Sequence, residues 1–480
     1  MASVLAAKGF SVRLVDMVFE DEPLEALKKR LDDSEGKTLL VGFSVMTSQL
    51  PHASELSKFV KKNYPGTRII WGGVHPSLFP EAVCESGLAD LVCLGEGEFT
   101  LVELLFSLKE GKRDFSGING LCFLQNGRPA HTGPRAPHRL DDLPYFNYGL
   151  TDYSSHMSRN IFAADGGSRR VKYGVILTGV GCPYRCTFCI NSNKKLYHGK
   201  YRSKTPARIA AEIEFLICEH GIECFEFLDD NFFINKKNVR EFLALIREKK
   251  LAFSWFTNVR ADYFRPDYVN EELLKELEEA GCYRLAIGAE SGSQRMLDKL
   301  KKDIKVGDII GSARTLGPSK IRATYSFMMG LPGETKEDII ATLDLMQKLK
   351  TLKRGINFIG PQIFRPYPGG ELYEECVEKY GYRPPSSVEE WNSALSLFSG
   401  YEELDKMGWI SEKKFVRTVS FYIEFMNLQI PTLGVGGLKK KILELFQRLF
   451  MLRSRRRFWS FNVEIGLILF YKRLKRLLKG

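Results

Sequence analysis

Between Val171 and Phe364 the chain repeats one pattern six times, a short apolar run of strand character followed by a helical stretch. The strand-like runs are YGVILTG, CFEFLD, FSWFTNV, YRLAIGAE, RATYSFMMG and INFIGPQIF; stretches such as ARIAAEIEFLICEHG and KEDIIATLDLMQKLK lie between them. Strands that alternate with helices long enough to cross a sheet lie parallel, with the helices on its faces. Six such units fit a partial (βα)6 TIM barrel over residues 166–370. Its chemistry belongs at the carboxyl ends of the strands.

A shorter version of the same rhythm fills residues 10–108. FSVRLVDM, TLLVGFSVMT, RIIWGG and ADLVCLG read as strands, with PLEALKKRLDDS, ASELSKFVKKNYP and EFTLVELLFSLKEG as helices between and after them. The expectation is an α/β, Rossmann-like, doubly wound domain over residues 1–112. The loops GFSVMTS, WGGVHPS and LGEGE fall at its strand ends, and their small residues let a large planar or phosphate-bearing group approach the backbone. An ordinary flavodoxin-like sheet whose glycines merely make turns is the plainer alternative. Residues 113–165 read as a linker with a small hairpin turning at Asn126–Gly127. Residues 371–480 read as a helical carboxy-terminal region.

The string GCPYRCTFCIN follows the first barrel strand and carries Cys182, Cys186 and Cys189. Three thiolates at this spacing suit three irons of a cubane four-iron cluster and leave the fourth iron without a protein ligand. Structural zinc asks for a fourth ligand, and no Cys or His nearby supplies one. A C-x-x-C redox motif is contained in the string, but the third cysteine fits it poorly.

CxxxCxxC with an aromatic, Phe188, before its last cysteine resembles the signature of the radical SAM enzymes. LAIGAESGS (285–293), FLDDNFFIN (227–235) and YSFMMGLPGET (325–335) resemble further segments of that family, in the same order. The resemblance implies a cluster held by the three cysteines, whose open iron binds S-adenosylmethionine (SAM) and cleaves it reductively to a 5′-deoxyadenosyl radical. It implies that Glu290 contacts the SAM ribose and that Phe188, Asp230, Arg260 and Gly330 help to wall the cofactor. For Arg260 two readings stand, a contact to the SAM carboxylate or a simple pair with an acid. Asp229 and Asp230 read alternatively as an acid/base dyad.

The amino-terminal half resembles the cobalamin-binding domain that precedes the barrel in the cobalamin-dependent branch of that family. Ser44, Thr47, Gly72 and Gly73 match the positions that seat the cofactor's nucleotide tail, with Gly95 and Glu96 as a weaker third element. MASVLAAKGF resembles the end of a first helix, so the first strand and its D-x-H-x-x-G loop are expected to be missing. His52 and His75 lie on the expected binding-face loops, as contacts to the corrin edge or to solvent rather than as cobalt ligands.

The net charge of +12 is concentrated: Leu438–Gly480 carries thirteen Lys or Arg against two acids. A neutral body with a basic tail argues against a nucleic-acid enzyme. Within the tail, Leu438, Ile442, Leu445, Phe446, Leu449 and Phe450 recur at helical spacing, as do Leu467 to Leu478, which suits an amphipathic helix on an anionic membrane surface or one packed on the barrel. Thiolate ligands, scattered cysteines and the lack of an apolar run near the roughly 20 residues of a membrane span point to the cytoplasm, with peripheral contact at the inner membrane face.

The expected activity is methyl transfer from cobalamin to an unactivated carbon of a small or lipid substrate, with a flavodoxin- or ferredoxin-like electron donor. A cyclase or oxidative rearrangement enzyme, as in anaerobic chlorophyll biosynthesis, is the alternative. A methylthiotransferase would carry cluster cysteines in its first module, and a cobalamin sensor would not need the cysteine triad.

Overall fold

A mixed sheet and a parallel sheet, each wrapped by helices, account for most of the described residues. The computed structural model describes residues 1–17, 20–151, 153, 171–190, 201–394, 402–426 and 437–458. In the amino-terminal sheet β1 (Leu40–Ser44), β2 (Arg68–Gly72) and β3 (Leu91–Cys93) are parallel neighbours in that order. Alternate residues serve opposite faces. Ile69, Trp71 and Val92 pack with the helices Pro23–Asp32 and Leu50–Asn63, whereas Ile70, Leu91 and Cys93 pack with Leu104, Phe115 and Ile118. Burial on both faces explains why these strands read as continuous apolar runs.

β4 (Leu121–Gln125) and β5 (Arg128–His131) form the expected hairpin, with Asn126 and Gly127 both at positive φ, as a tight hairpin turn requires. β4 also pairs antiparallel with β3, so the hairpin extends the amino-terminal sheet. The segment FSVRLVDM departs from expectation: residues 11–16 form no strand. Strand propensity alone does not make a strand without a neighbour, and among the described residues β1 has only β2 beside it.

The second sheet contains β6 (Tyr173–Ile176), β9 (Cys224–Phe227), β10 (Ser254–Val259), β11 (Cys282–Glu290), β12 (Arg322–Met329) and β13 (Asn357–Ile363), all parallel and in sequence order. Between β6 and β9 the short β7 (Gly179–Val180) and β8 (Arg202–Ser203) pair antiparallel. Period-two alternation sorts the faces. Phe225 and Phe227, Trp255 and Val259, Leu285 and Ile287, and Tyr325 and Phe327 enter one core with the outer helices. Their neighbours Glu226, Asn258, Ala286, Gly288 and Ser326 face the inside of the partial barrel. All six expected strands are present.

The carboxy-terminal region supplies the helices Glu371–Tyr380, Val388–Ala394, Lys413–Met426 and Gly437–Arg455. Val388 and Trp391 join the core of the amino-terminal domain. In the last helix Ile442, Leu445 and Leu452 remain exposed, while Arg453 donates to the Tyr422 hydroxyl at 3.3 Å. The second half of the expected amphipathic tail, Leu467 to Leu478, lies outside the described residues. Among those described, no helix is long and apolar enough to cross a membrane.

Candidate functional site

Past β7 the chain turns at Gly181, with φ +83°, into the cysteine loop. Two backbone bonds fix that loop to the barrel: Thr187 N–H donates to Leu300 O at 2.9 Å, and Leu372 N–H donates to Thr187 O at 3.0 Å. Gly370 is required there, because a Cβ would stand 2.6 Å from Thr187 O. Cys186 is buried, and Cys182 and Cys189 are partly exposed. Burial pushes the Cys182 and Cys186 thiols up, while Lys302 and Arg260 pull Cys186 the other way. No three His, Cys, Asp or Glu side chains among the described residues converge on a single-ion site. A cubane asks for something else, one thiolate on each of three irons, and three soft sulfur donors on one loop suit iron–sulfur ligation.

Glu290 ends β11 in the left-handed region, φ +61°, beside a register slip between Gly288 and Glu290 against β12. Such a bulge re-aims a side chain at a strand end. The Glu290 carboxylate turns to Lys302, whose Nζ donates to Oε1 at 2.9 Å. Burial works against the Lys302 charge, but Glu290 and Cys186 together outweigh it and the net shift is upward. The same ammonium lies 5.8 Å from the centre of the Phe188 ring. Gly288 keeps this corner open, since a Cβ there would come within 2.8 Å of Lys302 Nζ.

Arg260 pairs with an acid, the second of its two readings. Its Nε donates to Asp262 Oδ1 at 2.9 Å and its Nη2 to Lys302 O at 2.7 Å, and it lies 3.5 Å over the Tyr184 ring. The Asp229–Asp230 pair divides. Asp229 is buried, accepts from Thr178 N–H at 2.7 Å and from the Thr178 hydroxyl, and burial pushes it up to about 6. Asp230 is exposed and close enough to Cys182 to raise that thiol. Asp229 therefore ties β9 to the cysteine-bearing strand, which is a structural task. Gly330, at φ +69°, donates its N–H to Glu334 Oε2 at 2.5 Å. Burial pushes Glu334 up to about 8.

On the amino-terminal sheet the three expected loops meet. Ser44 is exposed at the end of β1. Gly73, at φ +96°, lies against β1, where an added Cβ would be 3.0 Å from Val45 N; at Gly72 an added Cβ would make only ordinary contact with Cys93. The Ser77 hydroxyl donates to Gly73 O at 2.7 Å and accepts from Gly95 N–H at 3.0 Å. Thr47 Oγ1 lies 3.2 Å from His75 Nδ1.

His75 does not face solvent, one of the two contacts expected of it. It is wholly buried in the short helix Val74–Leu78, and burial lowers its pKa to about 4. Its ring packs against Phe79 and Trp391, and its Nε2 has no hydrogen-bond partner; nor has Trp391 Nε1. His52 is exposed on the helix Leu50–Asn63. Orphaned buried nitrogens beside a glycine-lined strand end are what a pocket for a polar cofactor tail would leave, so the residues fit cobalamin.

Glu96, on the third loop, forms an ion pair with Arg202 of β8 and lies 3.3 Å from His138 Nδ1. Because β8 pairs with β7, which leads into Cys182, this pair links the third loop of the amino-terminal sheet to the cysteine loop. Sequence reasoning missed Lys302, Arg202 and the burial of Trp391. Lys302 stands in the run KLKKDIK, which reads like any solvated charge cluster.

Residues 176–346 match the Radical SAM superfamily, and residues 1–105 match the B12 binding domain. An uncharacterized methyltransferase of Pyrococcus horikoshii is 32% identical over 76% of this chain and 75% of its own length. Cytidylyl-2-hydroxyethylphosphonate methyltransferase of Streptomyces wedmorensis is 25% identical, over 81% and 78%. The fold is also that of two solved enzymes. TsrM, a radical SAM methyltransferase of Kitasatospora setae, has a TM-score of 0.63 and 20% identity over 81% of this chain and 76% of that one. OxsB, a cobalamin-dependent SAM radical enzyme, has a TM-score of 0.67 and 17% identity over 93% and 72%. The chain therefore belongs to the cobalamin-binding radical SAM enzymes.

Proposed function

We propose that this enzyme transfers a methyl group to an unactivated carbon of its substrate. The observation that carries the reading is the Glu96–Arg202 pair, which holds the cofactor face of the amino-terminal sheet to the cysteine loop of the barrel. When bound, the cluster supplies one-electron cleavage of SAM and cobalamin supplies the methyl carrier. The chain's own residues then bind, orient and enclose. Cys182, Cys186 and Cys189 hold the cluster, and Phe188 and Lys302 cover its edge. Glu290, set by Lys302, receives the SAM ribose. Asp230 and Gly330 flank the cofactor, and Arg260 braces the Lys302 loop through its bond to Lys302 O. Ser44, Thr47, Gly72, Gly73 and Gly95 seat the corrin tail. The placing of two cofactors and a substrate in line is the protein's main contribution to rate.

Radical SAM enzymes need a reductant, and a flavodoxin- or ferredoxin-like protein is the proposed donor. The exposed Ile442, Leu445 and Leu452, with Lys441 and Arg448 exposed on the same helix, support peripheral contact with an anionic membrane and hence a lipid substrate. The experiment is incubation of the reconstituted enzyme with SAM labelled in its methyl group and a native lipid extract. Label in an organic product together with 5′-deoxyadenosine supports methyl transfer.

A second reading is cyclisation. Anaerobic magnesium-protoporphyrin IX monomethyl ester cyclases of Rubrivivax gelatinosus and Synechocystis are 23% and 26% identical over 79% and 72% of this chain. 5′-Deoxyadenosine without label transfer would favour it.

A further inference from the structure

The cysteine loop carries two aromatic side chains, Tyr184 and Phe188, and each has a buried cation over its ring. The guanidinium of Arg260, just past β10, lies 3.5 Å from the centre of the Tyr184 ring. Lys302 Nζ lies 5.8 Å from that of Phe188. The two cations are joined, since Arg260 Nη2 donates to Lys302 O at 2.7 Å. Tyr184 is fixed beneath Arg260 by its hydroxyl, 2.9 Å from that of Tyr263, which in turn accepts from Asn231 Nδ2 at 3.0 Å. A guanidinium stacks on an aromatic face and still uses its edges for hydrogen bonds, a combination that an ammonium does not match.

The two cations differ in what offsets them. Lys302 and Glu290 are buried together, their side chains 11% and 9% exposed, so each cancels much of the other's field. Arg260 is 7% exposed, whereas its partner Asp262 is 25% exposed. Water therefore screens the negative end of that pair more than the positive end. Asp230 and Asp303, which also act on the thiols of the loop, are exposed as well. Asp229 is buried but bound to Thr178. Burial is the largest influence on the Cys186 thiol; among charges, Lys302 and Arg260 act on it more strongly than Glu290 and Asp303.

We propose that Arg260 is a positioning residue that sets the reduction potential of the cluster, its guanidinium held against the cysteine loop by Tyr184, Asp262 and Lys302 O. A four-iron cluster on three thiolates is anionic, and the electron it takes from the donor protein, which is oxidised in turn, adds one negative charge. A buried positive charge stabilises that reduced form more than the oxidised one. Net charge around the sulfurs is one of the quantities that set cluster potentials. Arg260 thereby makes the cluster easier to reduce before SAM is cleaved. The role rests on the three-cysteine cluster and is the same for methyl transfer and cyclisation.

The test is a potentiometric titration of the full-length protein, reconstituted anaerobically with iron and sulfide and read by electron paramagnetic resonance without SAM. At the wild-type midpoint, Arg260→Met should lower the ratio of reduced to oxidised cluster at least tenfold, a shift of about 59 mV to more negative potential. Arg260→Met combined with Asp262→Asn should also stay below wild type, because the more exposed partner contributes the smaller field. Arg185→Met, which removes an exposed cation from the same loop, should change the ratio less than about threefold. A midpoint at or above wild type in Arg260→Met, a return to wild type in the double variant, or an equal shift in Arg185→Met overturns the proposal. If Arg260→Met holds no cluster, Asp262→Asn decides: its midpoint should rise, and an unchanged or lower one overturns the proposal too. Neither SAM nor substrate is present, so failure here is distinct from failure of methyl transfer, which the labelled-SAM experiment reads.

Discussion

Lys302 Nζ lies 2.9 Å from Glu290 Oε1, and both side chains are buried beside Cys186. A buried ion pair contributes little net stability, but removing one partner strands the other charge. Lys302→Met should therefore cost about 3–5 kcal/mol of stability and weaken SAM binding at least tenfold. The double variant Glu290→Gln with Lys302→Met should recover the stability and not the SAM affinity. Equilibrium unfolding and SAM titration together check this; recovery of both would remove Glu290 from the SAM site.

The Glu96–Arg202 pair should matter for transfer and not for cleavage. Arg202→Ala should leave cluster content and 5′-deoxyadenosine formation near wild type, while methyl-label transfer falls about tenfold. That ratio corresponds to about 1.4 kcal/mol, within the range of one charge-assisted contact. Product analysis by mass spectrometry measures both yields in one sample.

Trp391 reaches from the carboxy-terminal region into the cobalamin-binding domain, its ring centre 5.4 Å from that of His75. Trp391→Ala should lower cobalamin affinity at least tenfold and stability by about 3–5 kcal/mol, as for other large aromatic truncations. Cluster content should be unchanged. Equilibrium dialysis with hydroxocobalamin reads the affinity; undiminished binding would place the corrin tail elsewhere.

Glu334 offers a pH test. Burial raises its pKa to about 8 in the folded chain from an ordinary 4.5. Between these values the folded state keeps a proton that the unfolded state has released. Stability from this group therefore falls as pH rises from about 4.5 to about 8, by at most about 1.4 kcal/mol per pH unit. Glu334→Gln retains an acceptor for Gly330 and Leu331 N–H and should flatten that slope. Thermal unfolding of wild type and variant across pH 5 to 8 would show it; parallel curves would refute it.

Much of this organisation was readable in advance because period-two burial is written directly in the residues. Leu285 and Ile287 alternate with Ala286 and Gly288, and the strand ends place Cys182, Glu290 and Gly330 on one rim. Lys302 was hidden because its burial depends on left-handed turns at Lys301 and Asp303, residue types that do not announce them. FSVRLVDM misled for the opposite reason, since its local preference is strong but a strand is defined by its neighbour. Trp391 looked like one aromatic among many until the fold brought it against a domain more than 300 residues earlier in the chain.

The most direct test of the central claim is anaerobic reconstitution with iron and sulfide, followed by electron paramagnetic resonance of the reduced protein with and without SAM. The account predicts about four irons per chain and a cubane signal that changes when SAM is added, both lost in Cys186→Ala. Absence of a cubane signal in the wild-type protein, or SAM cleavage that survives in Cys186→Ala, would contradict it.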